Sequence, residues 1–305
     1  MIVVLGSVNL DIQFEVEILP KSGETLHACG KTHFGGGKGA NQALAAKRAG
    51  ADTALFGAVG NDRAAEIALR EVMEADVMTL GVTVVENDTG SANIYVDRDG
   101  ENCIVVAAGA NGHVKTDMAV AAIEKARHGF LVLQQEIAFE TNKAALELAR
   151  LSDVKTVLNV SPFDQSSGEL AELADIVIAN EHEWAKLSSG ADNIEAMREW
   201  SRKRGQTLVV TRGAAGVVVL APETEVEVPA PAIKPIDTVG AGDTFCGYFV
   251  AELDRGGSLL EAAEIAVVAA STACLRRGAQ SSIPRRSDVL NAMAAISDAS
   301  NLAIP

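Results

Sequence analysis

The feature that most limits the fold is a repeated alternation between short apolar runs and longer helical patterns. Runs of strand length, rich in β-branched residues, occur at residues 2–5, 53–58, 130–133, 156–160, 176–179, 208–211 and 216–220. Between them, apolar residues recur at helical spacing over 63–74, 118–126, 141–151 and 194–203. The first run, Ile2-Val3-Val4-Leu5, has no polar member and predicts a strand covered on both faces. Such strands separated by helices predict an α/β fold, doubly wound around a mostly parallel sheet. No repeat, low-complexity tract or linker divides the chain, which reads as one domain over residues 1–305.

Two stretches break the alternation. Residues 14–18 and 25–34 alternate with a period of two and are interrupted by Pro20 and Gly23. Residues 91–97 and 101–106 flank Asp97-Arg98-Asp99-Gly100, a hairpin signal. Inserted among βα units, these pieces predict a small separate sheet acting as a lid, with segments at about 12–34 and 91–107. One face of such a sheet needs covering, and a second subunit is one way to cover it, so a homodimer through the lid is expected.

Composition narrows the partners. With 48% hydrophobic and 22% charged residues the chain can bury a large core, and a net charge of −15 argues against nucleic acid and anionic membrane surfaces. Cys29, Cys103, Cys246 and Cys274 lie far apart without a C-x-x-C pair, which suits free, mostly buried thiols in a reducing cytoplasm. The N-terminus reads as a strand rather than a signal peptide, and no apolar run reaches the roughly 18 residues of a membrane span.

Chemistry concentrates in a few stretches. In Asp237-Thr238-Val239-Gly240-Ala241-Gly242-Asp243-Thr244-Phe245, two glycines precede an apolar helical stretch. Backbone N–H groups can converge there, and the helix start adds its unpaired donors and dipole, so the turn suits a phosphate. Asp243 would repel that phosphate unless it takes the proton from an attacking hydroxyl. The same residues can also be a tight turn with Asp243 as helix N-cap. After the first strand, Asn9 and Asp11 are spaced to point one way and hold adjacent sugar hydroxyls, or else to form an Asx turn. Gly35-Gly36-Gly37-Lys38-Gly39-Ala40-Asn41-Gln42 opens an alanine-rich helix. Gly39 stands where a Walker A motif needs Ser or Thr, so that motif fails, and a flexible loop with a solvated lysine is the plain alternative. A dinucleotide fold is disfavoured because Gly240-Ala241-Gly242 lies late and Phe245 occupies its third glycine position.

Taken in order, these stretches resemble the ribokinase family of carbohydrate and nucleoside kinases. Gly6-Ser7-Val8-Asn9-Leu10-Asp11 is similar to its first-strand motif, residues 34–42 to its di-glycine motif, and residues 237–245 to its catalytic turn. Asn180-Glu181-His182-Glu183 matches N-x-x-E, Thr211-Arg212-Gly213-Ala214-Ala215-Gly216 matches T-x-G-x-x-G, and Arg276-Arg277-Gly278-Ala279 matches a C-terminal loop. The run of three glycines leaves the di-glycine register open between 35–36 and 36–37. The resemblance implies a ribokinase-like fold and ATP-dependent phosphorylation of a sugar primary hydroxyl. The opening and the GGKGANQ string are similar to the ribose-specific members, implying D-ribose 5-phosphate as product. It further implies Asp243 as base and Gly240, Ala241 and Gly242 as donors to the γ-phosphate. The sugar would be held by Asn9, Asp11, Gly36, Gly37, Lys38, Asn41, Glu136 and Asp243, and the nucleotide by Asn180, Thr211, Gly213, Gly216 and Gly242. Asn180 and Glu183 would position Mg²⁺, largely through water. A K⁺ site would draw on Asp237, Val239, Ala273, Arg276, Gly278 and Ser282. The alternatives are another sugar kinase, a nucleoside kinase, disfavoured by only 4% aromatic residues, and a regulator that binds without turnover.

Overall fold

The computed structural model describes residues 1–191 and 193–302. All four residues of β1 (Ile2–Leu5) are buried, Ile2 and Val4 in one core and Val3 and Leu5 in another. A strand with no polar side is stable only where helices cover both faces. The chain leaves β1 for β2 (Asn9–Glu15) and β3 (Gly30–Gly36), and returns through α1 (Lys38–Arg48) to β4 (Thr53–Gly60), α2 (Arg63–Glu74) and β5 (Met78–Val85). It departs again for the hairpin β6 (Gly90–Val96) and β7 (Asn102–Ala107). Regular βα units follow: α3 (Thr116–Lys125), β8 (Phe130–Leu133), α4 (Phe139–Ala149), β9 (Lys155–Asn159), α5 (Ser167–Ala171), β10 (Ile176–Asn180), α6 (Glu181–Leu187), α7 (Ile194–Arg204) and β11 (Thr207–Thr211). Two further strands, β12 (Val217–Ala221) and β13 (Thr224–Val228), precede α8 (Ala241–Asp254), α9 (Leu259–Ala273) and α10 (Arg286–Leu302).

The large sheet has the order β13-β12-β11-β10-β9-β8-β1-β4-β5. Among the described residues its pairings are parallel except β11 with β12 and β12 with β13. One face is covered by α1, α2, α8, α9 and α10, the other by α3 to α7, with Trp184 and Trp200 meeting edge to face. Among the described residues no helix is long and apolar enough to cross a membrane.

The small sheet, β3-β2-β6-β7, forms from the two segments that broke the alternation. Its hairpin turn is held by Asp97, whose carboxylate accepts from the N–H groups of Asp99 and Glu101, while Gly100 takes the left-handed conformation at φ 85°. Strand β2 begins earlier than expected, so Asn9 and Asp11 open it rather than closing β1, whereas β3 begins only at Gly30 and residues 25–29 lie outside it. Every residue of β7 is exposed. Cys29 and Cys103, expected to be mostly buried like the other cysteines, are exposed here, because among the described residues no helix covers this sheet's outer face; Cys246 is buried and Cys274 half-buried.

Candidate active site

Strands β1 and β8 are neighbours, and from them the sheet order runs outward in opposite directions. Open α/β sheets take ligands in the crevice beyond the carboxyl ends of strands at such a switch point. The residues leaving β1 (Ser7, Asn9, Asp11) and β8 (Gln134, Glu136) therefore meet there, with α1 and α8 starting alongside.

Helix α8 begins at Gly240, whose φ of 76° is left-handed and whose hypothetical Cβ would lie 3.1 Å from Ala279 Cα. The Ala241 N–H reaches Thr238 O and the Thr244 N–H reaches Gly240 O. The N–H groups of Gly242 and Asp243 have no carbonyl within the helix and remain its anion-directed donors. Asp243 is buried, and it is not the N-cap. Its Oδ2 accepts from Asn41 Nδ2 and its Oδ1 from Gln42 Nε2, both at 2.9 Å. Burial pushes its pKa up, Lys38 and the two amides oppose the rise, and Glu136 adds to it.

On the facing side, Asn9 and Asp11 are buried. Asn9 Oδ1 accepts from Asn111 Nδ2 at 2.7 Å, which turns the Asn9 amide so that its own Nδ2 remains to donate. Burial raises the Asp11 pKa to about 7, helped by Glu136 and Asp243 and opposed by Lys38. A Cβ on Gly36 would sit 2.2 Å from the Asp11 carboxyl, and Gly37 has φ 86° with a hypothetical Cβ 2.7 Å from Asn9 N. Gly35 and Gly36 end β3 and Gly37 caps α1, so each of the three glycines has its own place. Glu136 Oε2 accepts from the Ser7 hydroxyl at 2.5 Å and from the Lys38 N–H at 3.0 Å, at the positive end of α1. Lys38 is half-buried, not solvated. Burial, the largest influence on it, acts to lower its pKa, but Asp243, Glu136, Glu183 and Asp11 outweigh burial and raise it, so the ammonium keeps its charge.

Lys38, Asp243, Gly240, Gly242, Asn180, Glu183 and Thr211 line one cavity of about 240 Å³, together with Asn159, Ser161 and Thr238, which sequence reasoning did not assign. Asn180 and Glu183 form a capping box at α6: Asn180 Oδ1 accepts the Glu183 N–H and Glu183 Oε2 accepts the Asn180 N–H, each at 2.8 Å. Among the described residues no three His, Cys, Asp or Glu side chains gather as a metal-binding set. Sharing Thr211, Thr238 and Gly242 with this cavity is a larger one of about 570 Å³, lined mostly by apolar groups such as Ile233, Phe245, Val267 and Ala270, with Gly213 and Gly216 at its edge. Gly216 (φ 92°) also packs on β13, where a Cβ would lie 2.0 Å from Val228 O. A polar cavity opening beside an apolar one has the shape and chemistry of a nucleotide site.

The stretch before α8 is tied to the C-terminal loop. Asp237 accepts from the N–H groups of Val239 (3.0 Å) and Gly278 (2.9 Å), while Cys274 O accepts from those of Ile236 and Asp237. Ala273 O accepts from Arg276 N–H, and Ser282, buried, donates its hydroxyl to Ala279 O. The six residues expected around K⁺ are thus on two stapled segments next to the α8 start. Sequence reasoning missed Gln42, Gln134 and Asn111; only the GGKGANQ string carried a trace of the first.

The family of pfkB carbohydrate kinases matches residues 1–286. A ribokinase of Haemophilus influenzae is 36% identical over 296 residues, covering 94% of this chain and 96% of that protein. The crystal structure of a Thermotoga maritima ribokinase superposes with a TM-score of 0.87 at 32% identity, covering 96% of this chain and 99% of that one. An Arabidopsis thaliana ribokinase complexed with ribose and ATP gives a TM-score of 0.86 at 30% identity, over 95% and 97% of the two chains. Matched in sequence over residues 1–286 and in fold over nearly its full length, the chain belongs to the pfkB family of carbohydrate kinases.

Proposed function

We propose that the protein transfers the γ-phosphoryl group of ATP to the primary hydroxyl of D-ribose, with Asp243 as the base. The observation that carries this reading is the Asp243 carboxylate, buried and aimed by two amides at the cavity where the α8 N–H groups and Lys38 also point. A sugar seated against Asn9, Asp11, Asn41 and Glu136 brings its hydroxyl to Asp243. Asn41 uses Nδ2 on Asp243, and its buried Oδ1 has no partner among the described residues, so a sugar hydroxyl can donate to it. Adenine belongs in the apolar cavity, with Thr211, Gly213 and Gly216 at its rim and the phosphates running over Gly242 toward Lys38. Transfer in line between two held reactants draws its rate from positioning and charge neutralisation.

The residues present fit the two cations implied by this chemistry. Asn180 and Glu183 would hold Mg²⁺ through its waters, since it dehydrates reluctantly and phosphate oxygens complete its shell. When bound there, Mg²⁺ would supply charge neutralisation for the phosphates. The Asp237 carboxylate and the turn carbonyls of the stapled 237–240 and 273–282 segments are hard oxygen donors suited to K⁺, beside the donors of α8. The small sheet would close over the sugar as a lid, and its uncovered β7 would pair the protein with a second copy in the cytoplasm.

The test is ADP release at saturating ATP and Mg²⁺ across D-ribose, 2-deoxyribose, fructose, 2-keto-3-deoxygluconate, adenosine and cytidine, with and without K⁺. Turnover is expected to be highest on D-ribose and raised by K⁺. Asp243→Asn should lower kcat about 10²–10⁴-fold with a much smaller change in binding. Full turnover in that variant removes Asp243 as base, and sugar binding without ADP release makes the protein a binder.

A further inference from the structure

We infer that Gln42 and Gln134 are positioning residues for phosphoryl transfer: a buried chain of two side-chain amides that holds the Asp243 carboxylate in its reactive orientation. The inference rests on Asp243 being the base. Gln134 Nε2 donates to Gln42 Oε1 at 2.8 Å, and Gln42 Nε2 donates to Asp243 Oδ1 at 2.9 Å. Gln42 and Gln134 are both fully buried, so no water competes for these bonds. An ionised carboxylate only accepts, so Gln42 must present its NH₂ group to Asp243. Its carbonyl then faces Gln134, which must answer with its own NH₂ group. The polarity of the chain is therefore fixed from Asp243 outward.

The outer end is anchored by backbone. Gln134 follows β8, and its carbonyl accepts from Asn142 Nδ2 at 2.7 Å, so α4 fixes the residue. Its side-chain Oε1 lies against Gly6, where a Cβ would come within 1.9 Å, so the glycine leaving β1 makes the space for this amide. Without Gln134, the Gln42 carbonyl loses its donor, and the amide is held from the carboxylate end alone. A flipped Gln42 would set carbonyl oxygen against carboxylate oxygen and turn Asp243 away from the sugar. Gln42 and Gln134 line neither nucleotide cavity, and both are fully buried behind Asp243 and Gly6. Their effect passes through Asp243.

Gln42→Met and Gln134→Met keep length and volume and delete the donors. Each should lower kcat about 10–100-fold with the KM values for sugar and ATP changed less than about threefold, because the reacting groups still bind but are misaligned. In Gln42→Met the carboxylate loses a donor that favours its charged form, so the acid limb of the kcat/KM profile should move about one pH unit upward. In Gln134→Met the shift has the same direction. The double variant should match Gln42→Met alone, because Gln134 acts only through Gln42. Thermal melting checks folding, and Gln42→Leu replaces the methionine variant if that one unfolds. Losses that add in the double variant, or an acid limb that stays in place, overturn the inference. Asp243→Asn measured alongside separates the two readings: full turnover there removes the base itself, whereas loss there with an unmoved profile in Gln42→Met removes only the amide chain.

Discussion

Asp11 offers the sharpest quantitative test of how this site is built. Its carboxyl is buried beside Glu136 and Asp243, and its pKa stands at about 7 against an ordinary 3.8. A folded-state pKa raised by about three units means that the native state pays about 4 kcal/mol to hold this group ionised. The contribution to stability is intact below the unfolded value of 3.8 and is lost progressively as pH rises through the folded value near 7. Asp11→Asn keeps the shape and removes the titration. In the ligand-free protein the variant should gain about 4 kcal/mol at pH 8, but only about 2 kcal/mol at pH 5, where wild-type Asp11 folds protonated. For a chain of this length the unfolding entropy is roughly 0.6 kcal/mol per kelvin, so Tm should rise about 6 °C at pH 8 and about 3 °C at pH 5. The assay is thermal melting of wild type and variant at both pH values without sugar or nucleotide; titrating groups remote from Asp11 cancel in the difference. Equal gains at the two pH values, or a loss at pH 8, would refute the reasoning. The same variant should bind sugar more weakly, because a carboxylate accepting from hydroxyls becomes an amide that offers one acceptor.

Two further changes probe the pocket and the lid. Gly36→Ala puts a Cβ against the Asp11 carboxyl and should raise the sugar KM about tenfold or more while leaving the ATP KM near wild type, since overpacking of this kind costs about 1–3 kcal/mol; an unchanged sugar KM would detach Asp11 from the sugar. Ile104→Asp with Val106→Asp changes two residues on one face of β7, 48% and 53% exposed in the monomer, and should convert a dimer to a monomer in sedimentation equilibrium. A monomeric wild type, or a variant that still dimerises, would assign the dimer elsewhere or remove it.

The large sheet was legible in the chain because strands covered on both faces must be apolar throughout, as at residues 2–5 and 130–133. Strand β5 was not, and the reason is its position at the sheet edge: Leu80 and Val84 are exposed and Gly81 makes room for the Phe56 ring, so no buried pattern is written there. The hairpin of β6 and β7 was legible from its turn, since the Asp97 side chain and Gly100 act locally. The candidate site was legible where a residue's chemistry is needed beside its own backbone, as in the glycines before Lys38 and at 240–242. It was illegible where the partner lies far along the chain. The bond from Gln42 to Asp243 joins residues 201 positions apart, and that from Asn111 to Asn9 spans 102. A glutamine in a helix and an asparagine in a turn carry no mark of such distant roles.

The choice of partners for Asp243 explains why the site tolerates so much buried acid. An arginine paired with this carboxylate would hold it in place and also strip its basicity, since a close cation favours the charged form. Asn41 and Gln42 supply direction with neutral donors, and burial keeps the pKa raised. Lys38 then balances Asp243, Glu136, Glu183 and Asp11 as a group rather than any one of them. The acids are costly in the empty protein, as Asp11 shows most clearly. On the proposed reading, a sugar would offer several hydroxyl donors to the same acceptors, and the repulsion that weakens the free fold would be relieved when it binds. A site with its carboxylates neutralised in advance would be more stable and would have less to gain from the sugar.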